Sequence, residues 1–306
     1  MQKKAMIIYN PAAGKNKFRK LLPDAERILT EADLEVMLVP STPEPKSTMK
    51  IARQAAESGY DMVIAAGGDG TVNEVVNGLM QVEKRPKLGI LPVGTTNDYA
   101  RALNMAKDPL EALRIIAKQE TIHVDIGKAN ETEFFINNAA GGKITEITYA
   151  VKESMKSKWG RLAYLFSGLT VLPKLSPVNV EISYNDKIFK GDILLFFVNK
   201  SNSVGGMETL CPPAQLNSGA FELLILKKVS PKKLFQLFAS IKKGKHLSSP
   251  DVIHARADKV EVKSDADLNV SYDGVYGGKA PYTLEVIPDA LEVFADEKRI
   301  SARLRG

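Results

Sequence analysis

Three short stretches carry residue types suited to handling phosphate. "YNPAAGK" holds Asn10, Pro11, Ala12, Ala13 and Gly14; "AAGGDGTVN" holds Gly67, Gly68, Asp69, Gly70, Thr71, Val72 and Asn73; "PVGTTNDYAR" holds Gly94, Thr95, Thr96, Asn97 and Asp98. Glycines let backbone N–H groups come close to phosphate oxygens, and a helix that starts after them adds positive potential. A carboxylate among phosphates is repelled unless a cation bridges them or it faces a hydroxyl. Asp69 therefore reads as a Mg²⁺-linked or hydroxyl-facing acid. The bland alternative is that the glycines only make turns, which three loops at one sheet edge make harder to sustain. None of the three fits the G-x-x-x-x-G-K-[ST] or G-x-G-x-x-G patterns, so a nucleotide site here belongs to another lineage. His123, His246 and His254 show no ligand spacing and read as surface or satisfied core residues. Cys211 has no partner suggesting a Cys–His nucleophile. As the single cysteine it excludes an internal disulfide and fits a reducing compartment.

The surrounding pattern explains how such loops would meet. Residues 4–10, 34–40, 61–67 and 87–94 read as strands. Residues 18–32, 47–59, 71–80 and 108–119 read as helices, with Pro23 a kink in the first and Ser47 or Thr48 opening the second. Strands and helices in short alternation predict a parallel sheet with helices on its faces. Ligands bind at the carboxyl ends of the strands of such a sheet. Beyond about residue 121 the pattern becomes strands joined by turn residues, including "VNVEISYNDKIFKGDILLFFVN" and "YTLEVIPDALEVFA", which predicts antiparallel pairing. The boundary falls near 120–127.

Composition bounds the function. At 306 residues, 44% hydrophobic and 25% charged, the chain reads as an ordinary globular protein with room for two domains. No apolar run reaches the ~18 residues of a membrane span. The N-terminus lacks a signal peptide's apolar region, so a cytoplasmic location is expected. A net charge of +6 fits an anionic partner or simple solubility. Nucleic-acid binding is not expected, because no helix-turn-helix, zinc or stacking-aromatic signature accompanies that charge. "SPKKLFQLFASIKKGK" has Ser230 as N-cap and Pro231 at N1. It reads as a helix packed on the β region with solvated lysines, in preference to a membrane-surface helix. Residues 156–175, with the only tryptophan, read equally as a gate for a lipid or as core.

Taken together, "IIYNPAAGK", "GGDGTVNEVVNG", "LPVGTTNDYARAL", "FINNAAGG" and "DGVYGGK" resemble the diacylglycerol kinase catalytic-domain family over nearly the whole chain. Sphingosine and ceramide kinases share the pattern more distantly. "GGDGT" alone also occurs in NAD kinases and phosphofructokinases, but "GTTNDYAR" sets this chain apart from them. The resemblance implies an N-terminal α/β domain (1–124, with 290–306 returning to it), a C-terminal antiparallel β-sandwich (125–289), and ATP in the cleft between them. It implies that Asn10 to Gly14, Ser41, Gly67 to Asn73 and Thr95 line the nucleotide. Asp69, Asn97 and Asp98 would stand at the reacting phosphoryl group, and ATP and Mg²⁺ would be the cofactors. The acceptor would be diacylglycerol or a similar lipid alcohol at a membrane surface, with peripheral contact at the inner face and a homodimer allowed.

Two departures stand against full activity. The family's "DGE", whose glutamate serves as general base, is Asp273-Gly274-Val275 here, and valine accepts no proton. The family's "LDDG" turn, whose second acid supports a Mg²⁺, is Leu216-Asn217-Ser218-Gly219. The expectation is a lipid kinase with Asp273 or Asp69 substituting for the base. The alternative is a weakened relative that binds nucleotide or lipid, with Val275 packed inside the sandwich.

Overall fold

In a computed structural model, residues 2–13, 18–142, 176–206, 209–241, 243–296 and 300 are described below. Four strands, β1 (Lys3–Tyr9), β2 (Leu34–Pro40), β3 (Met62–Gly67) and β4 (Lys87–Pro92), pair in parallel in the order β4-β3-β1-β2. Every residue of β3 is buried, as a central strand covered on both faces requires. Between them run α1 (Leu22–Glu31), α2 (Ser47–Glu57) and α3 (Asp69–Leu79); α4 (Asp98–Ala102) and α5 (Pro109–Ala117) follow β4. Asp108 caps α5 by accepting from the N–H groups of Leu110 and Glu111.

The helix starts correct two expectations. Pro23 does not kink α1 but stands in its first turn, where a missing N–H costs nothing. The N-cap of α2 is Lys46, in a left-handed conformation, rather than Ser47 or Thr48. The Ser47 hydroxyl instead accepts from the N–H of Thr42, and the N–H of Thr48 donates to Glu74 on α3.

The later strands are β5 (Thr121–Ala129), β6 (Glu133–Phe135), β7 (Asn138–Gly141), β8 (Val178–Tyr184), β9 (Lys187–Asn199), β10 (Phe221–Lys227), β11 (Val252–Ala257), β12 (Lys259–Lys263), β13 (Asn269–Tyr272), β14 (Val275–Lys279) and β15 (Tyr282–Phe294). They pair antiparallel among themselves, giving the expected mixed architecture. β15 joins the two regions. Its start pairs with β12, its length with β5, and Val293 sits beside Leu88 of β4 in parallel.

Two main hydrophobic clusters result. One gathers the apolar faces of β1–β4 and α1–α5 with Leu291, Val293 and Phe294. The other is enclosed by the antiparallel strands around Phe135, Phe196, Phe221 and Tyr272. A further helix, α6 (Pro231–Ile241), starts at Ser230 as expected. It lays Leu234 and Leu237 against Leu194, Leu195 and Leu226, and leaves Phe235 exposed. Among the described residues no helix is long and apolar enough to cross a membrane. Residues 156–175 lie outside the described residues.

α2 and α3 touch at Gly78. A Cβ there would run into the carbonyl oxygen of Met49 and come within 2.9 Å of the Ala52 methyl. Glycine to alanine stabilises an open helix by about 1 kcal/mol. Here the backbone contact reverses the sign, and Gly78→Ala should destabilise by about 1–3 kcal/mol. Urea unfolding measures this, and a gain in midpoint would contradict the close packing of these helices.

Candidate active site

The parallel strand order places the ends of β1, β2, β3 and β4 side by side, so the three loops meet at one edge. Asn10 ends β1 and folds its loop back, its side-chain oxygen accepting from the N–H of Ala12 at 2.9 Å. The N–H of Ser41, after β2, donates to the carbonyl of Tyr9 at 2.8 Å. The N–H groups of Val93 and Gly94 both donate to the carbonyl of Gly67, at 3.0 and 3.1 Å, tying the loop after β4 to the loop after β3. At this crossing a Cβ on Gly94 would collide with the Gly68 backbone and lie 2.7 Å from Asn97 Oδ1. Glycine at 94 is therefore a packing requirement. Gly70 differs: it is exposed, its φ is ordinary, and a Cβ would meet nothing within 4 Å. Its N–H and that of Asp69 open α3, where helix geometry supplies no partner. That is open space over a helix start, the setting in which anions bind.

Asp69 sits at the centre of this edge. Its Oδ2 accepts from the N–H of Asn97 at 3.0 Å and its Oδ1 from the N–H of Asp98 at 2.6 Å, so it caps α4 from the start of α3. Burial and the nearby Asp98 charge push its pKa up to about 6, against the pull of those two N–H groups. A carboxylate with two N–H partners keeps further lone pairs, and this one is only partly buried.

The other two acids are committed. Asp98 is buried; its Oδ1 accepts from Ser203 Oγ at 2.8 Å and Gly206 N–H at 2.7 Å, and its Oδ2 from Gly205 N–H at 2.8 Å. It latches the loop after β9 to the parallel-sheet region. Asp273 accepts four bonds at 2.9 Å: Asn73 Nδ2 and Ile136 N–H on Oδ2, Asn137 and Asn138 N–H on Oδ1. Burial pushes its pKa up and the four donors pull against it. With its acceptor positions filled, Asp273 does not fit the role of substitute base.

The remaining expected residues divide accordingly. Asn10, Pro11, Ala12, Ala13, Ser41, Gly68, Asp69, Gly70, Thr71 and Thr95 are at least partly exposed at the edge, whereas Gly67, Val72 and Asn73 are buried. Val72 lies in the first hydrophobic cluster. Asn73 spends its side chain on Asp273 and the carbonyl of Phe134. Gly14 lies outside the described residues. Val275 is 45% exposed at the start of the edge strand β14, not packed in the sandwich. Cys211 is buried, which raises its thiol pKa and makes it unreactive.

Sequence reasoning passed over three contributors. Asn77, one turn after Asn73, clasps Phe134 through both its carbonyl and its N–H. The i, i+4 asparagine pair inside an apolar helix was a readable sign that this face meets backbone rather than core. The other two are Asp125 and Lys200. They are fully buried and bonded to each other, and an acid within the apolar strand "TIHVDIG" signals the need for such a partner.

A parallel sheet that gathers glycine loops and an acid at its carboxyl edge, continued by an antiparallel β region, defines a two-core α/β-plus-β protein. The chain belongs to the diacylglycerol kinase catalytic-domain family. Residues 4–129 match the diacylglycerol kinase catalytic domain, and residues 144–295 match the YegS C-terminal NAD kinase beta sandwich-like domain. It is 42% identical over 294 residues to the diacylglycerol kinase of Staphylococcus epidermidis, covering 96% of this chain and 92% of that one. It is 40% identical over 304 residues to that of Staphylococcus aureus, covering 99% and 96%. A crystal structure of a diacylglycerol kinase from Bacillus anthracis superposes with a TM-score of 0.79 at 26% identity, covering 97% of this chain and 98% of that one.

Asp69 yields a prediction with a defined sign. A carboxyl whose pKa is higher folded than unfolded binds more protons in the folded state. Its contribution favours folding in acid, is complete below about pH 4, and is lost as the pH rises through about 6. In the nucleotide-free protein, stability of wild type relative to Asp69→Asn should therefore fall between pH 4 and 6. Denaturant titrations across that range measure it, and a flat difference would place the Asp69 pKa at its ordinary value.

Proposed function

We propose that the chain is an ATP-dependent lipid kinase, transferring the γ-phosphoryl group of ATP to the hydroxyl of diacylglycerol or a similar lipid alcohol. The observation that carries this is the sheet edge itself. Three loops converge there, Gly70 leaves open space over the start of α3, and Asp69 is the one site acid with unfilled acceptor capacity. In this reading the unit 1–124 with 290–306 holds the nucleotide and 125–289 receives the lipid.

Loops 10–14, 67–71 and 94–97 would seat the phosphates through backbone N–H groups and the positive end of α3. Asp69 fits a divalent cation, because the neighbouring charges of Asp98 and Asp273 both raise its pKa, leaving net negative field at its carboxylate. Mg²⁺ carried in with the nucleotide would neutralise charge on the transferred group. The turn 216–219 does not fit one: Leu216 O accepts from Asp125 N–H, and Ser218 Oγ donates to Ala220 O. When the hydroxyl oxygen bonds to the γ-phosphorus and the bond to ADP breaks, its proton must leave. With valine at 275 and Asp273 saturated, Asp69 is the remaining candidate to accept it, a role open to it only when Mg²⁺ is held by the phosphates and not by its carboxylate; in the metal-free protein its pKa is about 6.

The second reading, a weakened relative that binds nucleotide or lipid, draws support from Val275 and Ser218, which stand where the family has acids. Labelled ATP, Mg²⁺ and a panel of lipid alcohols in mixed micelles separate the two, with labelled lipid as the readout. Asp69→Ala should abolish transfer. Val275→Glu should raise it by up to ~10²-fold, the usual worth of a general base. Because Val275 is exposed, the new charge stays solvated and the variant should melt close to wild type. Nucleotide binding by both forms with no transfer from either would overturn the kinase reading and leave the binding protein.

A further inference from the structure

Lys200 and Asp125 form a junction that the proposed reaction does not use. Both side chains are 1% exposed, with Lys200 Nζ 2.6 Å from Asp125 Oδ2. The ammonium also donates to the carbonyl of Ala220 at 3.1 Å. The Asp125 carboxylate accepts in addition from Gly219 N–H at 2.7 Å and from Asp289 N–H at 3.1 Å. Its backbone N–H donates to Leu216 O at 2.8 Å. The turn 216–220 is thus tied to the Asp125–Lys200 pair: the ammonium bridges β5 and the segment entering β10, and the Asp125 carboxylate adds β15.

A divalent ion has no place left there. Mg²⁺ asks for six oxygen ligands near 2.1 Å, commonly with one or two carboxylates. Here the single carboxylate is already shared by the ammonium and two N–H groups, and the carbonyls of Leu216 and Ala220 are engaged. Among the described residues no group of three His, Cys, Asp or Glu is arranged to hold a metal. The charges make the exchange intelligible. An acid at 218 with Asp125 would balance one divalent cation; Ser218 with Asp125 balances one ammonium. An ion pair withdrawn from water persists only when its remaining groups are hydrogen-bonded, as these are.

We propose that Lys200 occupies the cation position of the 216–220 turn, so that this junction is held by an internal ammonium in place of a divalent metal. The assignment is independent of the kinase reading, and its test contains neither ATP nor lipid.

The full chain is melted in excess EDTA and in millimolar MgCl₂ at matched ionic strength. The readout is any Mg²⁺-dependent shift in midpoint that disappears in Asp125→Asn. Wild type should show none. Lys200→Met should lower the midpoint by about 5–10 °C, because it strands a buried carboxylate. The double variant Lys200→Ala with Ser218→Asp should acquire a Mg²⁺-dependent rise of several degrees. An Asp125-dependent shift in wild type, or a folded double variant indifferent to Mg²⁺, overturns the assignment. Should the variants fail to fold, acetylation of native wild type with mass mapping decides: Lys200 should stay unmodified in EDTA and in Mg²⁺ alike, and its labelling in the native protein overturns the proposal.

Discussion

The buried carboxylate of Asp273 fixes how the two cores meet. It stands in a left-handed conformation (φ 49), followed by Gly274 (φ 80), in the turn between β13 and β14. That turn aims its side chain at α3 and at residues 136–138. Removing a charge from water costs several kcal/mol, and one unpaired N–H in the same place would cost about 1–3 more. Four donors converging on two oxygens offset both losses at once. The consequence reaches the site. Asn73 is held one turn beyond Asp69, so the registration of α3, and with it the sheet edge that carries Asp69, is tied to the other core. The same turn sends Val275 outward onto the edge strand.

Three aspartates, three environments and three capacities follow from that geometry. Asp98 binds three donors from the loop after β9, and Asp273 binds Asn73 of α3 with three N–H groups of residues 136–138, so both act as joints. Asp69 binds only the two N–H groups at the start of α4. Partial burial and two acidic neighbours push its pKa up to about 6 while leaving it the one of the three with open acceptor positions. Like groups take different roles when their hydrogen-bond partners differ in this way. Each joint that takes a carboxylate out of play thereby sharpens the assignment of the one that remains.

The sequence alone made the framework readable, because strand and helix periods alternate cleanly through residue 119 and the strand ends carry glycine. It also revealed the antiparallel half from its turn residues. It did not reveal which acids were spoken for. "DGV" and "GGDG" look equally able to present a carboxylate, and only the four N–H groups arriving from residues 73 and 136–138 distinguish them. Val275 looked like core because it is valine, yet it begins an edge strand with a free face. α4 is missing from the helices read in the sequence because five residues are too few for a helical period. The Asp125–Lys200 pair, 75 residues apart, had no local pattern beyond an acid among apolar neighbours.

β15 turns these separate contacts into one constraint. It pairs with β5 at eight positions, interrupted by a bulge between Ile287 and Leu291, and reaches from β12 at one end to β4 at the other. Asp289, within the bulge and at positive φ, directs its N–H to Asp125. The bulge that lets a single strand serve both cores is therefore pinned by the acid that Lys200 neutralises. Opening the space between the cores would mean bending that ladder, releasing the three bonds of Asp98 and parting Asn73 and Asn77 of α3 from Asp273 and Phe134. The ladder is long and its bulge is locked from within, while the Asp98 latch grips a short glycine loop whose two left-handed residues, Gly205 and Gly206, tolerate rearrangement. Of these links the Asp98 latch has the most adaptable partner, and the N–H of Asp98 is itself held by Asp69.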